Sequence, residues 1–172
     1  APMKELRNLV VLKSLCSVSL IAAVTATLSA IFLSVPVWAT FMGWIAFFSR
    51  GMTARDALIN LICALIGIAM GIVSGLISAA LEPHSGILTI TVVVFLATFV
   101  LMAAALLPIV NNVLAYFLGL VCYFASNLPP VFESWITLAI AMSVGVLGGL
   151  SAKLAHTFFQ PLLTTSESAD HA

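Results

Sequence analysis

Side chains that could carry chemistry are sparse in this chain. No Asp, Glu, Lys, Arg or His occurs from residue 57 to 81 or from residue 87 to 132. Proton-coupled carriers hold such groups at membrane depth, and enzymes need several polar groups that converge. The sequence contains no nucleophile motif, phosphate-binding loop, carboxylate pair or metal-ligand cluster. It therefore predicts a protein that is not an enzyme and that needs no metal or cofactor.

An aromatic-glycine motif occurs twice, as FMGWIAFF at residues 41–48 and as FLGLVCYF at residues 117–124. Residues three, four or seven apart share a helix face, so each copy carries a row of rings. Rings at a helix crossing could line a slot for a small neutral solute and exclude ions. The alternative is that they only pack or face lipid. The aromatic candidates for such a lining are Trp38, Phe41, Trp44, Phe48, Phe117, Tyr123 and Phe124.

Three asparagines add polar atoms close to this region. Asn111 and Asn112 follow Pro108, so they either cap a helix start or contact solute at the mouth of a path. Asn60 is expected to make a hydrogen bond between helices, because an unpaired amide is costly in lipid. Asn111 and Asn112 complete the set of candidate solute-lining residues.

The composition places these residues in a membrane protein. Hydrophobic residues make up 63% of the chain and charged residues 7%, with a mean hydropathy of +1.25. Soluble domains carry roughly 25% charged residues, so this chain must be solvated largely by lipid. The net charge is zero, which gives no field for nucleic acid. Cys16, Cys63 and Cys122 stand singly in apolar segments and are expected to be small packing residues.

Six apolar segments approach the length of about 20 residues that a membrane helix needs. The first follows three basic residues but is longer than the apolar part of a signal peptide, so we interpret it as a retained span. Prolines 36, 83, 108, 129 and 130 are expected to separate the segments. The predicted spans are residues 14–34, 37–49 (short), 57–81, 87–107, 109–125 and 134–158. Residues 159–172 are a polar C-terminal tail, of which residues 164–172 are expected to fray.

The charges predict the orientation of these spans. With six crossings and a cytoplasmic N terminus, all six basic residues fall on the cytoplasmic side, as the positive-inside rule requires. The loops on the other side carry Glu82, His84 and Glu133 but no Lys or Arg. Thr53 and Asp56 have the spacing of a capping box at the start of the third span. Both termini are therefore expected to be cytoplasmic.

The order of motifs predicts two similar halves, residues 14–81 and 87–158. The aromatic-glycine motif repeats after 76 residues, and the glycine stripe that begins at Gly67 recurs 78 residues later at Gly145. Three crossings in each half would give the halves opposite orientations, as in many transporters. Glycines four apart allow close helix packing in lipid. The predicted packing glycines are Gly43, Gly67, Gly71, Gly75, Gly119, Gly145 and Gly149.

Both motifs carry a family resemblance. Trp38-Ala39-x-Phe41-x-Gly43, followed by Phe47-Phe48 and a turn at Gly51, resembles the YcdZ-like family of small bacterial inner-membrane proteins. Phe117-x-Gly119 with Tyr123-Phe124-Ala125 is similar to the second Phe-x-Gly segment of that family. The resemblance covers roughly residues 19–155, and the chain departs from it where Val110-Asn111-Asn112 replaces a Val-Pro-Gly turn. It implies a multi-pass topology in the bacterial inner membrane but no activity.

Together these patterns predict an all-α integral membrane protein with six helices in two inverted three-helix repeats. The expected function is a channel or facilitator for a small, neutral solute, with its path between the two aromatic-glycine helices. The alternative is a non-transporting scaffold or accessory subunit whose rings and glycines only pack. Expected partners are the lipid bilayer and further copies of the chain, in a homo-oligomer.

Overall fold

In the computed structural model, the backbone of residues 2–32 and 37–170 is described, and so are the side chains of residues 4–32, 37–84 and 86–161. Over these ranges the chain is all-helical. The six helices are α1 (Pro2–Phe32), α2 (Val37–Phe48), α3 (Ala54–Ser85), α4 (Leu88–Ala104), α5 (Val113–Ser126) and α6 (Phe132–Asp170).

The helices fall into two length classes. By length and composition, three contain segments able to cross a membrane: Lys4–Phe32 in α1, Ala54–His84 in α3 and Phe132–Pro161 in α6. The other three are apolar but have only 12, 17 and 14 residues in α2, α4 and α5. At about 1.5 Å per residue, α2 is only about 18 Å long. A hydrocarbon core is about 30 Å thick, so α2 and α5 are too short to cross it alone.

Local sequence explains most helix ends. Thr53 caps α3, since its hydroxyl accepts from the Asp56 amide at 3.1 Å and donates to the Asp56 carboxylate at 2.6 Å. Asn112 caps α5 by accepting from the Ala115 amide at 3.3 Å. Gly51 has φ +78°, and a Cβ there would also overlap Asp56. The predicted Thr53 cap and the predicted cap at the start of α5 are confirmed, whereas the Asp56 carboxylate accepts from the Thr53 hydroxyl and not, as the capping box predicts, from the Thr53 amide.

Three details of the predicted layout are corrected. Pro83 does not end its helix, because α3 continues to Ser85 around it. The backbone of the polar tail expected to fray is helical as far as Asp170. Cys16 is exposed on α1, whereas Cys63 and Cys122 are buried as expected. Pro108 and the pair Pro129-Pro130 do lie between helices, and Pro36 lies outside the described residues.

The helices pack as two groups of three. In the first triplet, α6 contacts α1 and α2, and in the second triplet α3 contacts α4 and α5. The triplets meet where α3 runs against α6, and α2 also contacts α3 and α5. Each triplet therefore draws helices from both halves of the sequence. Their junction is an apolar core of Ala39, Ala64, Ile68, Cys122, Tyr123, Leu138, Ala141 and Met142.

One end of the bundle collects several basic residues and the loops around them. Arg50 donates to the Asn111 side chain, which joins the α2–α3 and α4–α5 loops. Lys153 of α6 donates to the Met52 carbonyl at 2.5 Å. Ser14 of α1 is hydrogen-bonded to His156 of α6 at 3.1 Å. We call this the basic end. It matches the grouping of charges that the sequence predicts, while the membrane side that it faces stays a prediction.

Candidate functional site

The closest helix approach in the first triplet lies between α2 and α6. A Cβ on Gly43 would overlap the carbonyl oxygen of Met142, and a Cβ on Gly145 would overlap that of Thr40. Only glycine permits backbones to come this close. We call this contact the first crossing. The residue numbers rise together along both helices, since Phe47 next meets Gly149, so α2 and α6 are parallel.

The second triplet contains the same arrangement between α5 and α3, which we call the second crossing. A Cβ on Gly119 would overlap the Ala64 carbonyl oxygen, and a Cβ on Gly67 would overlap that of Tyr116. In both crossings the carbonyl that meets each glycine belongs to the residue three positions before the opposing glycine. Two contacts with identical spacing thus join a short motif helix to a long glycine-striped helix.

The aromatic ring one turn beyond each motif glycine rests on the opposing glycine stripe. Phe47 is fully buried, and its Cδ1 would be 2.9 Å from a Cβ on Gly149. Tyr123 is buried against α3, where its Cβ would be 2.7 Å from a Cβ on Gly71 and its hydroxyl 2.7 Å from one on Gly75. The glycines predicted to pack helices all lie at close contacts with a backbone carbonyl or an aromatic ring of a facing helix, and the two rings pack against the glycine stripes.

The aromatic row of α2 lies along one face, as its spacing predicts. The ring centroids of Phe41 and Trp44 are 6.1 Å apart, and those of Trp44 and Phe48 are 6.3 Å apart. This row turns toward α1 and α6, since Trp44 would be 3.0 Å from a Cβ on Gly148 of α6. Phe48 lines a cavity between α1 and α6. Trp38 instead packs against the apolar core.

The aromatic row of α5 turns in other directions. Phe124 is 48% exposed and makes an edge-on contact with Tyr123, and Phe117 is half-buried. Tyr116, which the motif did not single out, is fully buried and donates to the Val110 carbonyl at 2.6 Å. In the described part of the chain, no ring pair joins α2 to α5. Trp38 and Tyr123 share the apolar core that fills the space between these helices, and the structure does not otherwise bring the two sets of rings together.

The asparagines form one hydrogen-bonded cluster at the basic end. The Asn112 amide donates to Asn60 at 2.8 Å and to Ser49 at 2.7 Å. Asn60, fully buried, donates to the Arg50 carbonyl at 2.9 Å, which ties the end of α2 to α3 and α5. The predicted interhelical bond of Asn60 is confirmed. Because Asn111 and Asn112 are paired within the protein, they brace three helices in this conformation.

A cleft between α1 and α6 was missed by the sequence analysis. It is a cavity of about 450 Å³ at the basic end, and its walls include Ser14, Phe48, Lys153 and His156. A separate cavity of about 520 Å³, whose walls include Leu28 and Val144, lies on the opposite flank of the contact between α1 and α6. The available signal was the position of Lys153 and His156 near the end of a predicted span, where side chains reach the interface. Among the described residues, no group of three His, Cys, Asp or Glu could hold a metal.

The chain was compared with known proteins. The model of a family described as "Protein of unknown function (DUF1097)" matches residues 16–156. The matched range contains both crossings and most of the α1–α6 cleft. No curated protein and no solved structure matches the chain, so the resemblance to YcdZ-like proteins stays a prediction.

Proposed function

Because the chain belongs to the DUF1097 family, whose description assigns no activity, we propose from its geometry that it is a membrane channel or facilitator for a small, neutral solute. It would be built from two inverted three-helix repeats in a bacterial inner membrane. The observation that carries this proposal is the pair of matched crossings. Transport proteins with inverted repeats place their path where the repeats meet.

The order of the helices supports the proposed inverted relation. The first crossing joins α2 of the first half to α6 of the second, and the second crossing joins α5 to α3. If the long helices α3 and α6 cross the bilayer in opposite directions, α2 and α5 are also opposed, because each runs parallel to the long helix at its crossing. The basic end then faces the cytoplasm, because cytoplasmic loops carry the excess of Lys and Arg. Both termini lie on that side.

The proposed path follows the junction between the two triplets. Each triplet is held together by backbone contacts at its crossing, whereas the junction is made by side chains such as Met42, Ile68 and Leu138. Side chains can repack more readily than backbones can separate, so the triplets are the units expected to move. The conformation described here is the closed one. The predicted aromatic slot between α2 and α5 forms only if the junction opens.

The absence of charge along this junction supports a neutral solute. Residues 57–81 and 87–132 contain no Asp, Glu, Lys, Arg or His. An ion at such a site would lose its hydration without a compensating partner. The path is therefore expected to pass small uncharged molecules and to exclude ions.

The outer face of α4 supports the proposed homo-oligomer. Phe95 and Phe99 are 66% and 64% exposed and stack with their ring centroids 6.2 Å apart. A second copy that packs against α4 would bury these rings, and we propose this face as the contact between copies in the bilayer.

The packed core also favours a second candidate, a non-transporting scaffold or accessory subunit. Nothing has to open in that case, and the buried residues at the junction would serve stability alone. A scaffold should co-purify with another membrane protein at a fixed stoichiometry. A channel should act alone in a defined bilayer.

The deciding experiment measures solute entry into proteoliposomes that contain only the purified full chain. Light scattering after mixing would follow swelling with urea, small amides, alcohols and polyols, and with a potassium salt as the ionic comparison. We expect at least one neutral solute to enter faster than into protein-free vesicles, and the salt to enter at the background rate. Background rates for every neutral solute would overturn the proposal.

Paired variants locate the path. Met42→Trp adds bulk at the junction, where Met42 packs against the core, and should slow entry severalfold. Phe95→Trp adds bulk on exposed α4 and should leave entry unchanged. Equal slowing by both variants, at equal protein incorporation, would argue against a path along the junction.

A further inference from the structure

The hydrogen bonds between the two triplets are concentrated at the basic end. There, Asn60 donates to the Arg50 carbonyl at 2.9 Å, and Asn112 donates to the Ser49 hydroxyl at 2.7 Å. These bonds hold the end of α2 against α3 and α5. A five-residue loop connects the triplets at each end of the junction, residues 49–53 at the basic end and 127–131 at the other. The loops are therefore alike in length, and the side-chain hydrogen bonds make the difference between the two ends.

Away from the basic end, the triplets share a single side-chain hydrogen bond. Trp135, one turn into α6, donates from its indole Nε1 to the Leu65 carbonyl of α3 at 3.0 Å. Within the described residues, no other side-chain hydrogen bond joins the triplets outside the basic end. The Leu65 carbonyl also belongs to the helical hydrogen bonding of α3. Loss of the bond would therefore leave only the indole N–H without a partner.

Trp135 also separates a cavity from the junction. The cavity, of about 370 Å³, lies between α3 and α6, and its walls include Ala69, Ile72, Phe132 and Trp135. Trp135 and Ile72 pack at the same time against the apolar core of the junction. These two side chains thus form the wall between the cavity and the core.

The cavity lies where solute can reach it from water. Phe132, on its outer wall, is 68% exposed, and its ring stacks on that of Trp135 with centroids 5.9 Å apart. Glu133, in the same turn of α6, is exposed. A charged side chain is costly inside the hydrocarbon core, so this turn is expected at the level of the headgroups. A path along the junction would therefore begin at this cavity.

We propose that the cavity between α3 and α6 is the entrance to the transport path and that Trp135 is its gate. This inference rests on the proposed transport function. The junction opens at this end, while the amide cluster at the basic end acts as the pivot. When the indole swings into the cavity, its N–H leaves the Leu65 carbonyl. Because the indole N–H is a donor only, it then binds an oxygen of the entering solute, which favours neutral molecules that carry a carbonyl or hydroxyl group.

Reactivity of the native cysteines tests the gate without any transport measurement. Cys122 is fully buried in the junction core, whereas Cys63 is fully buried within the second triplet. The full chain in proteoliposomes would be treated with N-ethylmaleimide, and modification of each cysteine would be followed by peptide mass spectrometry. We expect Trp135→Phe to speed modification of Cys122 about fivefold, the factor that one ordinary hydrogen bond supplies, and to leave Cys63 unchanged.

Trp44→Phe is the matched control for the gate. Trp44 lies within the first triplet, against Gly148 of α6, and its indole makes no hydrogen bond within the described residues. It should leave the reactivity of Cys122 unaltered. An unchanged rate at Cys122 in Trp135→Phe, or an equal increase at Cys63, would overturn the gate.

A second pair of variants tests the entrance. Ala69 is exposed on the cavity wall, so Ala69→Phe should fill the cavity and slow entry of urea severalfold. Ile62→Phe, two turns earlier on α3 and 38% exposed, should leave entry unchanged. Trp135→Phe should speed entry of urea while the potassium salt stays at the background rate. Equal entry of urea in Ala69→Phe and Ile62→Phe would overturn the entrance.

The two readouts distinguish failure of the gate from failure of transport. Faster modification of Cys122 in Trp135→Phe, together with background entry of every neutral solute, would support the gate and overturn the transport function. Measurable entry of urea with no response of Cys122 to Trp135→Phe would keep the transport function and overturn the gate.

Discussion

The first and second crossings share one backbone contact but differ in their surroundings. Both join a motif glycine to a carbonyl three residues before the opposing glycine. Around the second crossing, Tyr116 is buried together with Leu101 of α4 and Cys63 of α3. The hydrogen bond between Asn60 and Asn112 connects α3 to the start of α5. Beside the first crossing, two separate cavities flank the contact between α1 and α6. The backbone contact thus sets how the helices cross, and the flanking side chains decide whether the neighbouring helix closes over it.

The largest expected effect comes from the central glycines, where the two crossings should behave alike. Gly119→Leu and Gly145→Leu each force a side chain against a backbone carbonyl on a facing helix. Overpacking typically costs about 1–3 kcal/mol and occasionally more, and backbone cannot move aside as a side chain can. We expect both variants to lose the folded monodisperse species, measured by fluorescence-detected size-exclusion chromatography. Leu154→Phe, on the exposed face of α6, is the control and should elute as the unaltered protein does.

Loss of only one of these variants would show that the crossings are not equivalent. A folded Gly145→Leu beside an unfolded Gly119→Leu would mean that the open cleft lets α6 shift away from α2. That result would also weaken the proposed inverted repeat, because equivalence of the two contacts is its main support.

Substitution of Asn60 should destabilise the second crossing and has no equivalent at the first. It is fully buried, and its counterpart 78 residues later is Leu138. Asn60→Leu leaves the Asn112 donor and the Arg50 carbonyl with one partner fewer. Unsatisfied buried groups cost about 1–3 kcal/mol. We expect a fall of that size in the free energy of unfolding, measured by denaturant titration in mixed micelles.

Asn8→Leu is the matched control for Asn60→Leu. Asn8 is exposed on α1 and makes no hydrogen bond within the described residues, so stability should change by less than about 0.5 kcal/mol. Equal effects of the two variants would mean that the amide cluster adds nothing specific to the second triplet.

The tyrosines give a smaller and more selective test of the second crossing. Tyr116→Phe removes the bond from its hydroxyl to the Val110 carbonyl at 2.6 Å and should cost about 1 kcal/mol. Tyr123→Phe places a phenylalanine against Gly71, as Phe47 is placed against Gly149 at the first crossing. Its hydroxyl makes no hydrogen bond within the described residues, so little change is expected. Thermal unfolding in detergent measures both, and a larger loss for Tyr123→Phe would contradict this reading.

Patterns close together in sequence predicted the elements of this fold. Apolar segment length, the capping box at Thr53, the cap at Asn112 and the proline breaks gave six helical segments near their observed positions. Repetition of Gly43 as Gly119 and of Gly67 as Gly145 marked the residues at which helices touch. These signals are readable because each is a matter of residue type and spacing along the chain and does not require knowing which helices pack together.

Contacts between distant helices were not predictable in the same way. The spacing of Phe41, Trp44 and Phe48 fixes a shared face but not the helix that this face meets, so the row could turn to α1 and α6 instead of α5. The pairing of each motif helix with a stripe from the other half depends on the whole bundle. The α1–α6 cleft depends on residues more than 120 positions apart, and no local pattern encodes such a space.

The smallest expected effect compares adjacent glycines on α6 and tests whether the flank of the first crossing is loose. A Cβ on Gly149 would be 2.9–3.1 Å from the buried ring of Phe47, which is enclosed by Val146 and Ala57. A Cβ on Gly148 would be 2.8 Å from the Thr25 hydroxyl and 3.0 Å from the edge of Trp44, beside the cavity of about 520 Å³ that Thr25 lines. This cavity gives the Thr25 side chain room to move aside, so the strain of Gly148→Ala is offset by the higher helix propensity of alanine, about 1 kcal/mol. We expect Gly149→Ala to lower the unfolding temperature while Gly148→Ala leaves it within a degree or two. Equal losses would mean that α1 is held against α6 as tightly as the core is packed.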